Sequence, residues 1–405
     1  MVIDPFLTDI LTAIDSDAYK KFVNVDGTLI VMLDKALYGC AESASLFNEH
    51  LTDTLKSFGF VPNPYDPCVL NKIVNERGDQ CTITIHVDDL KVSCKDEAFL
   101  DQFVMDLMGK YGRMNVHREK ILDYLGMDVD YTEQGIVKVS MEKMVVNAIE
   151  SFGEVKGADS VVTPANQDLF NVNEGLPRLD KEKTEKFHSI VATLLYIAKR
   201  ARPDLLTAVA FLTTRVLSPN EQDWKKLERI IKYLNGTKDL CLRIRANSDF
   251  TITAYIDASF ATHMDRNGHT GMFVTLGIGA IYCKSSKQRI VCRSSTESEL
   301  VAVADGLLIL IWMRNFIIAQ GYTNVGPIKI YQDNLSTIAL IKRGRSTSQR
   351  TRHIDIRYFF IHDRIGSGEA GIASLASELM VGDFFSKPLT GGVFFRFRPI
   401  IMGFD

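Results

Sequence analysis

Four acidic residues in the last third of the chain have the type and local setting needed to hold divalent cations: Asp257, Glu299, Asp333 and Asp383. Hard divalent cations prefer carboxylate oxygens, and a pair of such ions can promote hydrolysis of a phosphodiester. Clustered carboxylates repel one another without a cation, so their convergence would itself imply metal. We therefore expect phosphodiester cleavage assisted by two Mg²⁺ ions about 4 Å apart, with Mn²⁺ as the alternative metal.

The patterning beside the first two acids predicts the elements that position them. Asp257 ends the alternating run 251–256, which predicts a β-strand. Glu299 follows the serine- and threonine-rich stretch 294–296, which can cap the start of a long apolar helix. These two acids are therefore expected at a strand end and at a helix start.

The other two acids also follow strand-like runs. Asp333 closes residues 328–332 just before a predicted helix, and Asp383 follows residues 370–374 and opens a terminal helix. Strand ends and helix starts can converge on one point. The sequence therefore predicts that all four acids share a site.

A further acidic pair, Asp88 and Asp89, follows the run 82–87, which predicts a buried strand. A tight turn there could present a carboxylate to divalent cations. For an isolated pair, a solvated turn is the ordinary interpretation, because turns favour Asp.

Composition narrows the class of protein. A chain of 405 residues that is 46% hydrophobic can bury several cores, so two or three domains are expected. We expect no membrane association, because no apolar run reaches the roughly 20 residues of a spanning helix and no signal peptide is visible. Seven cysteines without paired spacing predict reduced thiols in an intracellular protein and argue against a disulfide framework or a zinc site.

The formal charge of −3 gives no overall nucleic-acid signature, so contacts with phosphate must be local. Two basic clusters favour such contacts. They comprise Lys284, Lys287, Arg289 and Arg293, and Lys342, Arg343, Arg345, Arg350, Arg352 and Arg357. Contacts of this kind to the phosphate backbone bind a nucleic acid through its shape and depend steeply on salt.

Other segments are predicted from their local pattern. We expect a helix over residues 97–110 and a hairpin whose strands, 124–129 and 136–139, flank a turn at 132–135. The polar stretch 166–186 predicts a linker or long loop, and helical segments follow it as far as about residue 236.

Several motifs occur together and in order. They are Lys35-Ala36-Leu37-Tyr38-Gly39, His86-Val87-Asp88-Asp89, Tyr124-Leu125-Gly126-Met127, Arg202-Pro203-Asp204, Tyr233-Leu234-Asn235-Gly236-Thr237, Ser294 to Glu299, Asp333-Asn334, Arg352-His353-Ile354-Asp355 and Ser386-Lys387-Pro388-Leu389. In this order the chain resembles the reverse transcriptase and RNase H portion of copia-type LTR retrotransposon Pol polyproteins. The resemblance covers nearly the whole chain.

The resemblance implies an α+β fold. Residues 1–155 would form a partial reverse-transcriptase palm and thumb, residues 156–247 a helical connection, and residues 248–405 an RNase H-like domain. That last domain is expected to have a mixed five-stranded sheet with flanking helices. The chain would then be the C-terminal piece of a longer polyprotein.

The resemblance also implies roles for individual residues. Asp88 and Asp89 would be catalytic metal ligands of the polymerase, and Asp257, Glu299, Asp333 and Asp383 those of the nuclease. Nucleic acid would be bound by Lys35, Tyr38, Gly39, Gly126, Lys287, Arg289, Arg350, Arg352 and His353.

Two of the nuclease ligands have rivals nearby in the sequence. Glu297 competes with Glu299, and residues two apart on a helix cannot share a face. Glu299 is favoured because it directly precedes an apolar run, as the catalytic Glu does in the family. Asp355 competes with Asp383 but lies among arginines, where ion pairing is the simpler role.

The family's first catalytic aspartate lies upstream, on a strand that continues into a helix. Asp4 is the candidate here, and Pro5 argues against it because proline cannot continue a β-ladder. We therefore expect impaired RNA-directed DNA synthesis together with hydrolysis of RNA in RNA–DNA hybrids. The alternative is a catalytically inactive remnant that only binds nucleic acid.

The expected partners are an RNA–DNA hybrid, primer-template, dNTPs and the rest of the Pol polyprotein. The expected location is the cytoplasm, in a virus-like particle, and also the nucleus.

Overall fold

The structure is a computed structural model that describes residues 1–32, 37, 39–40, 42–153, 155, 159–344 and 355–404. Of the predicted nucleic-acid contacts, Lys35, Tyr38, Arg350, Arg352 and His353 lie outside these ranges. The described chain is α+β, as expected, and forms two compact units, residues 1–112 and residues 113–405.

The first unit contains two sheets and four helices within its described residues. Its elements are β1 (Val2–Ile3), α1 (Pro5–Ile14), α2 (Ser16–Tyr19), β2 (Leu29–Ile30), α3 (Ser43–Ser57), β3 (Val61–Asn63), β4 (Asp66–Ile73), β5 (Gln80–His86), β6 (Asp89–Ser93) and α4 (Glu97–Tyr111). Strands β3 to β6 form an antiparallel sheet in sequence order, and β1 pairs with β2. The predicted strand and helix on either side of Asp88 and Asp89 are both confirmed.

Strand β5 shows why this sheet buries one face. Cys81, Ile83 and Ile85 are buried, and the threonines between them are only half-buried. This alternation is the two-residue period of a strand with one face against a core. Aromatic contacts complete that core, with the rings of Phe60 and Phe103 5.4 Å apart. A rigid sheet therefore carries the turn that bears the acidic pair.

The second unit begins with strands and then helices. These are β7 (Ile121–Tyr124), β8 (Met127–Asp130), β9 (Val137–Ser140), α5 (Glu142–Phe152), α6 (Lys181–Arg200), α7 (Leu206–Thr213), α8 (Glu221–Asn235) and β10 (Leu242–Ala246). The sheet order is β13-β10-β9-β8-β7, where β13 is Gly277–Ile278.

The predicted hairpin around residues 132–135 is confirmed, since β8 and β9 pair antiparallel across that turn. Two details in this region were wrong. The run 124–129 is not one strand, because Leu125 and Gly126 take positive φ angles of 55° and 72° and form the turn between β7 and β8. The polar stretch 166–186 is not all loop, since α6 begins at Lys181 behind the capping carboxylate of Asp180. The helical segments up to residue 236 are confirmed.

A buried ion pair joins the helices of this region. The Arg202 guanidinium donates to both carboxylate oxygens of Asp204, over 2.9 and 2.8 Å, and also to the Thr237 carbonyl. The Tyr233 hydroxyl donates to Asp204 Oδ2 over 2.7 Å, and Arg398 in turn donates to that hydroxyl. The motifs Arg202-Pro203-Asp204 and 233–237 therefore meet in one buried network that stabilises the fold.

The rest of the chain forms a mixed sheet with helices. Its elements are β11 (Thr253–Ser259), β12 (His269–Thr275), β14 (Tyr282–Lys287), α9 (Ser295–Ala319), β15 (Ile328–Gln332), α10 (Leu335–Arg343), α11 (Asp355–Gly366), β16 (Ala370–Ser374), α12 (Asp383–Ser386) and α13 (Gly391–Met402). The sheet order is β14-β12-β11-β15-β16. Strand β11 is antiparallel to β12 and parallel to β15. The predicted mixed five-stranded sheet is confirmed.

Helix α9 is the central helix on this sheet. The Ser294 hydroxyl accepts a hydrogen bond from the Glu297 amide at its start, as the sequence predicts. Its 25 residues are long and apolar enough to cross a membrane, so the expectation that no segment reaches that length was wrong. Its first half is buried against β11 and β12, which is the ordinary position of a core helix.

Residues 113–153, which the sequence assigns to the first domain, share a core with the helices of the second unit. Val145 and Phe152 belong to the same buried cluster as Phe187 and Leu227. The boundaries at residues 155 and 247 stay predictions.

Candidate metal centre

Three of the four predicted acids converge. One carboxylate oxygen from each of Asp257, Glu299 and Asp333 lies within 4.8 Å of the other two. Asp257 is 2% exposed and Glu299 5% exposed, and Asp333 is half-buried. Within the described residues, this is the only group of three metal-ligating side chains at such distances.

The fold explains the convergence of these acids. Strands β11 and β15 are parallel neighbours, so their carboxyl ends lie at the same edge of the sheet. Glu299 reaches that edge from the first turns of α9, which packs on β11. The sequence predicts Asp257 at the end of its strand, and this detail was wrong. Strand β11 continues to Ser259, and Asp257 pairs with Gly271 of β12.

The fourth acid, Asp383, joins the group through a lysine. The Lys387 ammonium lies 2.7 Å from Asp383 Oδ1 and 3.2 Å from Asp257 Oδ2. The Ser386 hydroxyl donates a hydrogen bond to Asp257 Oδ2 as well. Asp383, on α12, therefore lies beside Asp257, and the Lys387 ammonium contacts both carboxylates.

Two glycines let α12 approach the sheet this closely. A Cβ atom on Gly271 would lie 2.4 Å from the Ser386 nitrogen and 2.5 Å from the Gly382 carbonyl oxygen. A Cβ atom on Gly382 would lie 3.1 Å from the Asp257 nitrogen. Because backbone atoms cannot give way as a flexible side chain can, a larger residue at 271 would move α12 and Asp383 away from Asp257.

Gln332 holds Glu299 in place. Its side-chain amide donates to Glu299 Oε2 over 3.0 Å and to the Ile256 carbonyl over 3.1 Å, and its carbonyl oxygen accepts from the Asn334 amide. Sequence reasoning missed this residue, although its place directly before Asp333 puts it at the same strand end. The Ser377 hydroxyl similarly donates to Asp333 Oδ2 over 2.8 Å.

Burial and mutual repulsion perturb the acids. Burial raises the pKa of Glu299 to about 9, the charge on Asp257 adds to this rise, and the Gln332 hydrogen bond opposes it. Burial and then Asp257 raise the pKa of Asp383 to about 7, against the opposing effect of Lys387. Burial alone would lower the pKa of the Lys387 amine. The negative charges of Asp257 and Asp383 have the larger combined effect and raise that pKa. Protons therefore remain in the cluster when no cation is bound.

The donor set fits a hard divalent cation. Asp257, Glu299 and Asp333 offer only oxygen atoms, and they are held by Gln332 and Ser377 as hydrogen-bond donors. Partners of this kind orient ligands in metal sites. A divalent ion would also offset the burial and the repulsion that raise the pKa of Glu299 and of Asp383.

The rival acids have other positions. The Glu297 carboxylate accepts from the Arg293 amide over 2.7 Å, just before the start of α9. Asp355 begins α11, and its side chain lies outside the described residues. Glu299 and Asp383 are therefore the acids placed beside Asp257.

The acidic pair of the first unit has a different setting. Asp88 and Asp89 are exposed at the hairpin turn between β5 and β6, where His86 pairs with Asp89. Val87 has a φ of 55°, an angle that β-branched residues rarely adopt. In the part of the chain that the structure describes, no third metal-ligating side chain groups with them. Asp4 caps α1 by accepting from the Leu7 amide.

The described nucleic-acid candidates lie on surfaces or turns. Gly39 has a φ of 93°, and Gly126 forms the β7–β8 turn. The Lys287 ammonium pairs with Asp265, and Arg289 is exposed beyond the end of β14.

Comparison with known proteins matches these observations. Residues 21–167 match the family model for reverse transcriptase (RNA-dependent DNA polymerase). Over 366 residues the chain is 27% identical to the retrovirus-related Pol polyprotein from transposon TNT 1-94 of Nicotiana tabacum, covering 89% of this chain and 27% of that protein. The chain is a homologue of copia-type Pol polyproteins.

A second copia-type relative, the retrovirus-related Pol polyprotein from transposon RE2 of Arabidopsis thaliana, is 28% identical over 372 residues. This match covers 91% of the chain and 25% of the relative, so the chain spans about a quarter of the length of these polyproteins. A crystal structure of prototype foamy virus protease-reverse transcriptase is similar with a TM-score of 0.28 and 14% identity. It covers 88% of this chain and 40% of that one.

Proposed function

We propose that the chain hydrolyses the RNA strand of RNA–DNA hybrids at the cluster of Asp257, Glu299, Asp333 and Asp383. The observation that carries this proposal is the approach of three carboxylates to within 4.8 Å of one another at one edge of the mixed sheet. Phosphodiester hydrolysis at such a cluster is a common use of paired divalent ions. Homology to Pol polyproteins supports a nucleic-acid substrate.

The chain's own residues would act by holding and orienting. Asp257, Glu299, Asp333 and Asp383 would be the metal ligands. Bound Mg²⁺, or Mn²⁺ in its place, would supply an activated water and charge stabilisation at the phosphate. Gln332 orients Glu299, and Ser386 orients Asp257, so that their oxygens already face one point before any cation arrives.

The substrate is expected to be held through its backbone. Lys284 and Lys287 lie on β14, and Arg289 and Arg293 follow in the segment that leads to α9. Positive groups near the start of α9 would bind phosphates regardless of base sequence, and this binding should weaken steeply with salt.

The homology also supports membership of an RNA-directed DNA polymerase, with primer-template and dNTPs as its substrates and Asp88 and Asp89 as its metal ligands. We propose that this activity is low in the chain. The supporting observation is that the pair is exposed and has no third carboxylate grouped with it within the described residues. The remaining Pol segments would be partners of the intact polyprotein.

Cleavage of a labelled RNA–DNA hybrid by the purified chain tests the proposal. Asp257→Asn and Asp333→Asn should each reduce the rate by at least about a thousandfold, because each loses a charged ligand worth several kcal/mol to the transition state. Glu378→Gln, which changes an exposed acid of the same unit, is the matched control and should leave the rate unchanged. Equal rates for wild type and the Asn variants would refute the site. A chain that binds the hybrid without cleaving it would favour the inactive remnant.

A further inference from the structure

Lys387 is a positive charge placed inside the acidic cluster. Its ammonium lies 2.7 Å from Asp383 Oδ1 and 3.2 Å from Asp257 Oδ2, so it contacts two of the proposed metal ligands at once. The neighbouring Ser386 hydroxyl donates to the same Asp257 oxygen. In the metal-free chain, this side of the cluster therefore already has a counter-ion.

The side of the cluster formed by Glu299 and Asp333 has no such counter-ion among the described residues. Among the residues that the structure describes, no lysine or arginine pairs with Glu299 or Asp333. Those two carboxylates are held by the neutral donors Gln332 and Ser377. A cation that binds beside Glu299 and Asp333 meets no resident charge, whereas one that binds between Asp257 and Asp383 meets the Lys387 ammonium.

The Lys387 side chain can move away from the acids that it contacts. Its side chain is 41% exposed, whereas that of Asp257 is 2% exposed and that of Asp383 18% exposed. The ammonium is at the end of a flexible four-carbon stem. It can swing into water without a backbone change, while the acids that it contacts stay in place.

We propose that Lys387 is a positioning residue that holds Asp257 and Asp383 together in the metal-free chain and competes with a divalent cation for them. When Asp257 and Asp383 are both ionised, one ammonium offsets one of their two negative charges, and a divalent cation offsets both. Binding of the cation therefore displaces the amine toward solvent. The inference rests on the proposed function of the cluster and specifies how one of its two cation positions is controlled.

Calorimetric titration of the full chain with Mn²⁺, at fixed pH and salt, tests the competition without measuring activity. Lys387→Met removes the charge but keeps the length of the side chain, and we expect one Mn²⁺ to bind on the order of tenfold more tightly, which is about 1.4 kcal/mol. Lys387→Arg keeps the charge and should bind like wild type. Lys329→Met, at an exposed lysine of β15 in the same unit, is the matched control and should also bind like wild type.

Thermal unfolding gives an independent measurement. In a chelator, Lys387→Met should unfold at a lower temperature than wild type, because Asp257 and Asp383 then repel each other. With saturating Mn²⁺ the difference should shrink or reverse, because the tighter-binding variant gains more stability from the ion.

The outcomes separate this inference from the proposed function. If wild type binds Mn²⁺ and Lys387→Met binds it equally or more weakly, Lys387 does not compete with the cation, and only this inference is wrong. If wild type binds no Mn²⁺ and leaves the hybrid intact, the proposed function and this inference are both wrong.

Discussion

The two acidic groups of the chain differ in how the fold surrounds them. Asp88 and Asp89 are exposed at a tight turn and at the start of the strand that follows it, whereas Asp257 and Glu299 are almost fully buried at the edge of a sheet. Water screens the first pair and stabilises its charges without further help. The buried acids have lost that solvation, and burial raises the pKa of Glu299 to about 9 and that of Asp383, on the neighbouring α12, to about 7.

This difference shows which group is prepared for a cation. Burial makes a carboxylate cluster costly unless a positive charge enters it, so the fold itself favours metal binding in the second unit. The exposed pair, Asp88 and Asp89, would need a further ligand to hold a metal ion. A short acidic motif is therefore weaker grounds for a metal site than scattered acids that the fold brings together.

The largest expected effect is on hydrolysis. Glu299→Gln should lower hybrid cleavage by at least about a thousandfold, because it removes a buried ligand charge and keeps the side-chain shape. Single-turnover cleavage with Mg²⁺ measures it. Asp88→Asn changes an acid of the first unit and serves as the comparison. If Asp88→Asn abolished cleavage and Glu299→Gln did not, our ranking of the two groups would be reversed.

The next effect is on stability against pH in the metal-free chain. Glu299 has a pKa of about 9 in the fold against an ordinary 4.5, so the native state keeps a proton that the unfolded chain loses. The free energy of unfolding should therefore fall as pH rises from about 4.5 to about 9, by an amount on the order of a few kcal/mol.

Urea unfolding followed by tryptophan fluorescence measures this dependence, since Trp224 and Trp312 are the two tryptophans of the chain and both lie in the second unit. Glu299→Gln should flatten the decline, and saturating Mn²⁺ should oppose it. A wild-type stability that rises over this range would contradict the raised pKa.

A smaller effect on stability is expected from glycine substitutions, one within each unit. Gly271→Ala should cost about 1–3 kcal/mol, because its Cβ would meet backbone atoms of Gly382 and Ser386. Gly109→Ala lies within α4 with open space around it and should stabilise that helix by roughly 0.5–1 kcal/mol. Hydrogen exchange of each unit measures both changes, and a neutral Gly271→Ala would show that α12 is held less tightly than the contacts indicate.

The smallest effect concerns the exposed turn. Val87→Gly should stabilise the β5–β6 hairpin by up to about 1 kcal/mol, because glycine adopts a positive φ without the steric cost that valine bears. Slower hydrogen exchange of the hairpin amides would support this. Faster exchange would show that the strands do not hold Val87 in a strained conformation.

The sequence predicts the elements of the site better than their contacts. Asp333 and Asp383 could be placed because each follows a regular strand pattern, and Glu299 because serine caps the start of its helix. Gln332 and Lys387 could not be assigned their roles, since Glu299 lies 33 positions from Gln332 and Asp257 lies 130 positions from Lys387 in the chain. Such pairings arise from tertiary packing, which a local pattern does not encode.

The errors have similar causes. The local pattern assigned 124–129 to one strand because Leu125, a non-glycine residue with positive φ, leaves no clear signal of a turn in the sequence. Asp257 was placed at a strand end because the alternation of side chains stops there, although pairing with β12 continues. In both cases the neighbouring strand determines the backbone conformation.

Helix α9 has a consequence for how the chain is made. This apolar helix carries Glu299, and two of the elements that cover it, α10 and α11, are synthesised after it. A nascent chain that has emerged only as far as residue 320 would expose the apolar surface of α9 on which α10 and α11 later pack. Such exposed apolar surfaces promote aggregation. Truncation just after α9 should therefore yield insoluble protein, and chaperone demand should peak at that stage of translation.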